Sequence, residues 1–77
     1  MAFQMSTTEK LALIARTIKT SVDKRDAAQI IARKARSQGL NVTIKNGTWL
    51  TMSGAGGYWG IGEDGDRWDV AFYPGKW

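Results

Sequence analysis

The sequence predicts an α+β domain: two N-terminal helices packed on one face of a four-stranded antiparallel meander, α-α-β-β-β-β. Three observations carry this. Apolar residues recur at helical spacing from Leu11 to Ala35. At Leu40 the period changes to two. Beyond that point two turn signals, Asn46-Gly47 and Asp64-Gly65, each separate a pair of strand-like runs.

Ser6-Thr7-Thr8-Glu9 has the form of a capping box, in which each end residue satisfies the other's backbone N–H. Leu11, Ile14, Ala15, Ile18 and Val22 then fall on one stripe, which predicts a first helix over residues 7–20. Asp23 offers a second N-cap. The second helix is expected over residues 24–38, with Ala27, Ala28, Ile31, Ala32 and Ala35 inward. Gly39 suits the left-handed position after its end, and Leu40 can then close a Schellman motif on Ala35.

Leu40, Val42 and Ile44 alternate with polar residues. A two-residue Asn46-Gly47 turn would scatter the apolar residues of the hairpin over both faces. A three-residue loop with Gly47 as a bulge sets Ile44 opposite Thr48 and gathers Leu40, Val42, Ile44, Leu50 and Met52 on one face. That register sends Trp49 to the other face, beside Thr43 and Lys45, with its ring open to solvent. Ser53–Gly57 reads as a connector, with Gly60 giving room for a neighbouring backbone. A two-residue Asp64-Gly65 turn sets Ile61 opposite Trp68 and Trp59 opposite Val70, and these four share a face with Phe72. Tyr58, Gly60, Arg67, Asp69, Ala71 and Tyr73 take the other side. The predicted core is Leu11, Ile14, Ile18, Ile31, Leu40, Val42, Ile44, Leu50, Met52, Trp59, Ile61, Trp68, Val70 and Phe72. Residues 1–5 are expected to be a flexible N-terminus and residues 74–77 a tail, on a single domain spanning 1–77.

The chain's 77 residues, 43% apolar and 23% charged, fit one small globular domain. It contains neither cysteine nor histidine. That excludes disulfides, Cys/His zinc sites, thiol nucleophiles and histidine-based triads. No apolar run spans a membrane, and residues 1–5 lack the form of a secretory signal, so a cytoplasmic location is expected. The glycines of residues 54–62 do not have dinucleotide or P-loop spacing, and the Glu63–Asp66 turn lacks the order of a calcium loop. No cofactor or metal is expected. The carboxylates fall mostly in an exposed turn, where nothing tunes them for acid–base work, so a non-catalytic protein is expected.

The net charge is +4 and is unevenly placed. Residues 1–40 hold eight Lys and Arg against three acids, whereas residues 41–77 hold three against four. A basic half points to nucleic acid or to an acidic protein surface. Two candidate surfaces follow. On the second helix, Arg25, Gln29, Arg33 and Arg36 share an arc opposite the alanines, and guanidinium forks suit phosphates. On the open side of the sheet, Trp49, Tyr58 and Tyr73 are interleaved with Lys45 and Arg67, the combination that base stacking and phosphate neutralisation require. Nucleic-acid binding is the leading expectation. The size and charge are also similar to those of small phage- or plasmid-encoded accessory proteins. The second alternative is a protein-binding inhibitor or adaptor, for example one that blocks a host nucleic-acid-handling complex, as anti-CRISPR proteins do. The third alternative is a structural protein that pairs as a homodimer through its open sheet face.

Overall fold

The computed structural model describes residues 5–75. Its elements are α1 (Thr7–Ala15), α2 (Lys24–Ser37), β1 (Val42–Lys45), β2 (Trp49–Met52), β3 (Gly57–Asp64) and β4 (Arg67–Pro74). The strands form one antiparallel sheet in chain order, β1-β2-β3-β4. The predicted α+β layout is therefore the observed one. Of the expected flexible end and tail, residues 1–4 and 76–77 lie outside the described residues, and Pro74 is the last residue of β4.

Local chemistry accounts for the helix ends. Ser6 Oγ accepts from the Glu9 N–H at 3.2 Å, as the capping box requires, but the Glu9 carboxylate takes the Ser6 hydroxyl at 3.4 Å rather than the Ser6 backbone N–H. Asp23 caps α2 by accepting from the Arg25 N–H at 3.1 Å. At the other end Gly39 has φ +88°, Leu40 N–H donates to Ala35 O, and Gly39 N–H donates to Arg36 O. This is the Schellman pattern that the sequence foretold.

Helix α1 is shorter than the predicted 7–20. It stops at Ala15, and the Thr17 hydroxyl bonds back to Ile14 O at 2.6 Å. Beyond it the chain is claimed by the sheet. Ile18 O accepts from Trp68 N–H, Thr20 N–H donates to Asp66 O, and Lys19 forms a β-bridge with Arg67. Thr17 and Ile18 are β-branched and Thr20 is a weak helix former, so an edge-strand partnership outcompetes one more helical turn.

Both hairpins turn one residue later than predicted. In the first, Lys45 faces Trp49 across an Asn46-Gly47-Thr48 loop, so Ile44 pairs with Leu50 rather than Thr48. Asn46 and Gly47 both adopt positive φ, 51° and 79°, which Asn and Gly tolerate best. In the second, Asp64 faces Arg67 across Gly65-Asp66, and the positive φ sits on Gly65 alone, as in a type II′ turn. Ile61 thus pairs with Val70 and Trp59 with Phe72. Each pairing is displaced by two residues, and with a side-chain period of two the faces survive unchanged.

The helices cover one face of this sheet, α1 over β4 and α2 over β1 and β2. The core holds Leu11, Ile14, Ile18, Ile31, Val42, Leu50, Trp59, Ile61, Trp68, Val70 and five alanines from α1 and α2 that are wholly buried. Leu40, Ile44, Met52 and Phe72, predicted as core, are half-buried at its margin, because two helices cannot roof the sheet to its ends. Both core indoles find a polar partner. Trp59 Nε1–H donates to Thr8 Oγ1 and Trp68 Nε1–H to Val22 O, each at 3.0 Å.

Candidate functional site

The uncovered side of the sheet carries two cross-strand rows. Thr43, Thr51, Tyr58 and Tyr73 form one, and Lys45, Trp49, Gly60 and Ala71 the next. The indole of Trp49 lies across Gly60 and reaches both tyrosines. A Cβ on Gly60 would stand 2.7 Å from Trp49 Cζ3 and 3.0 Å from Tyr73 Cε2. Trp49 meets Tyr58 at 5.3 Å and Tyr73 at 5.7 Å between ring centroids, edge-to-face in both cases. Tyr58 and Tyr73 are stacked at 5.8 Å with planes 18° apart. The three rings form one cluster, within which Tyr73 remains 46% exposed.

This corrects two expectations. Trp49 is on the open face as predicted, but it is half-buried against its neighbours rather than open to solvent. Gly60 makes room for rings, not for a backbone: without a side chain there, aromatic groups from both flanking strands can close over β3.

Lys45 is the cross-strand partner of Trp49 and borders the cluster. Arg67 does not join it. It stands six residues from Tyr73 along β4, about 20 Å at strand rise, opposite Asp64 and with its Nε 3.8 Å from the Asp66 carboxylate. Next to the rings, the floor of Gly60, Gly62 and Ala71 forms a depression of about 330 Å³, walled by Glu63, Asp64, Asp69 and Tyr73. The open face is thus aromatic with a cation toward β1, and acidic toward the β3–β4 turn.

The α2 arc is only partly as predicted. Arg25 folds onto the first hairpin, so a Cβ on Gly47 would stand 3.2 Å from its guanidinium carbon. Arg36 Nε donates to Val42 O at 2.8 Å and caps the outer edge of β1. Gln29 and Arg33 are exposed between them. Two of the three arginines therefore lean toward the sheet, because α2 lies directly over β1 and their long stems reach its rim. The two candidate surfaces meet there: Arg25 touches the hairpin loop that follows Lys45, and Lys45 borders Trp49.

Sequence reasoning missed the role of Gly60 and the half-exposed Leu13, a residue 50% accessible between two depressions of about 400 and 290 Å³. Leu13 lies outside the Leu11–Ile14–Ile18 stripe, and that was the available signal. Among the described residues no group of His, Cys, Asp and Glu could hold a metal ion, and no helix is long and apolar enough to cross a membrane. Compared with protein-family models, curated proteins and solved structures, the chain gives no match.

Proposed function

We propose that the protein is a non-catalytic nucleic-acid-binding module. Bases stack on the Trp49–Tyr58–Tyr73 cluster, and phosphates follow the basic margin formed by Lys45, Arg25 and Arg33. The observation that supports this most is the juxtaposition itself: a clustered aromatic face on the uncovered side of the sheet, joined to a basic helix at one hairpin. Aromatic groups supply sequence-tolerant stacking, and cations supply salt-dependent attraction. The acidic β3–β4 turn gives the face a polarity, since phosphates are repelled from that end.

The test is fluorescence anisotropy with labelled nucleic acid over a series of salt concentrations. Three phosphate contacts predict a log–log salt slope of about −2. Absence of any salt-dependent binding overturns the reading. A second reading, a protein-binding inhibitor, draws support from Leu13, whose exposed side chain and flanking depressions are of a kind that takes up a partner's apolar group. Loss of a protein partner's binding on Leu13→Glu, with nucleic-acid binding absent, favours that alternative.

A further inference from the structure

We infer that the nucleic acid taken by this face is unpaired, two or three nucleotides at a time, and that α2 is not a groove-reading helix. The inference rests on the nucleic-acid reading above and narrows it to one ligand class. Three observations carry it.

The first is the state of α2. A helix that reads duplex DNA enters the major groove with its base-contacting side chains free. Here Arg36 is bound to the Val42 carbonyl and Arg25 is folded over Gly47. Of the arc, Gln29 and Arg33 are exposed between these two committed arginines.

The second is the form of the aromatic surface. Its three rings come from β2, β3 and the edge strand β4, near the Gly57–Pro74 end of a face with no helix over it. In a duplex the base faces are hidden in the stack, whereas an unpaired strand can turn them outward onto such a platform. Sheet platforms of this size stack two or three bases. The carboxylates of Glu63 and Asp64 beyond Gly62 limit how far a phosphate chain can extend over β3 and β4, whereas Asp69 is paired with Arg16 at 3.3 Å.

The third concerns the sheet edges, parts of which are already occupied. On β4, Lys19 bridges Arg67, Asp69 Oδ1 accepts from the Val70 N–H at 2.8 Å, and Pro74 ends the strand. On β1, the Val42 carbonyl is capped by Arg36, and its N–H donates to Leu40 O. A partner that augments the sheet therefore finds few free backbone groups. The aromatic face, rather than an edge, is the surface of the sheet best suited to recognition.

The experiment compares a fluorescein-labelled oligodeoxythymidine with the same strand annealed to oligodeoxyadenosine, at fixed salt. Wild type is tested beside Tyr73→Ala, Arg33→Ala and Gln29→Ala. Tyr73 is exposed enough for its variant to fold, and circular dichroism checks that it does. The expected result is at least roughly ten-fold tighter binding of the single strand, and a roughly ten-fold loss on Tyr73→Ala, the scale of one lost stacking contact. Duplex binding that equals or exceeds single-strand binding, weakened by Arg33→Ala and Gln29→Ala but not by Tyr73→Ala, overturns the inference while leaving the nucleic-acid reading standing. Binding of neither probe overturns both. Self-association lost on Tyr73→Ala in that case assigns the face to a second copy of the chain.

Discussion

Gly60→Ala is the most incisive perturbation of the aromatic cluster, because it adds one methyl group at the centre. Gly60 lies in extended backbone, so alanine is compatible with its conformation. On its own the exchange would stabilise a strand position by about 0.5–1 kcal/mol. The new Cβ, however, would meet Trp49 Cζ3 at 2.7 Å, where carbon atoms prefer about 3.5–4.0 Å. The indole must therefore lift by about 1 Å. Two edge-to-face contacts, with Tyr58 and Tyr73, are then lost or weakened, at about 0.5–1.5 kcal/mol each. The net effect is a destabilisation of about 1 kcal/mol, a fall of roughly 4–8 °C in Tm for a domain of this size. Urea unfolding measures the stability. The indole N–H resonance of Trp49, assigned by its loss in Trp49→Phe, reports the ring's position. A variant more stable than wild type by the full glycine-to-alanine gain, with that resonance unmoved, refutes the packing of Trp49 over Gly60.

Other substitutions separate scaffold from surface. Trp59→Ala and Trp68→Ala each cost about 3–5 kcal/mol in urea unfolding, as truncations of buried rings; Trp49→Ala costs less, about 1–3 kcal/mol, the scale of its two ring pairs on a half-buried open face. Equal losses in all three would make Trp49 part of the core. Arg36→Ala costs about 1–3 kcal/mol by leaving the Val42 carbonyl without its charged donor, whereas Arg33→Ala stays within about 0.5 kcal/mol and instead lowers the magnitude of the nucleic-acid salt slope by about 0.7. Ser6→Ala and Asp23→Ala each cost about 1 kcal/mol, read by the same unfolding assay, through loss of an N-cap.

The sequence made the sheet faces legible for a physical reason. Both hairpin registers were predicted two residues out, yet Leu50, Trp59, Ile61, Trp68 and Val70 all fall on the expected side. Inward-facing residues alternate, so an even slip preserves every face and only an odd one inverts it. The end of α1 was not legible. Ile18 suits the helical stripe, and it takes the tertiary bonds of Trp68 N–H to Ile18 O and Thr20 N–H to Asp66 O, added to the weak helix propensity of Thr17 and Thr20, to straighten the chain there. The basic arc was half legible, because helical spacing gives a direction but not the reach of an arginine. Arg25 and Arg36 bend toward a rim that exists only once α2 has docked on β1. For the aromatic site, alternation placed Trp49, Tyr58 and Tyr73 on one face and kept Lys45 with them. It also placed Arg67 there, correctly as to face, but strand length puts Arg67 at the acidic end instead of beside the rings. That the rings pack on one another depends on Gly60, whose missing side chain carries no periodic signal.

If the open sheet face is the binding surface, its residues respond first to ligand. A titration of isotopically labelled protein with a short unpaired oligodeoxythymidine, followed by NMR, tests it most directly. The largest shift changes are expected at Lys45, Trp49, Tyr58, Gly60 and Tyr73, with smaller ones at Arg25 and Arg33 and none at the Glu63–Asp66 turn. Shifts confined to Gln29 and Arg33, or to the surroundings of Leu13, with the aromatic cluster unmoved, would contradict it.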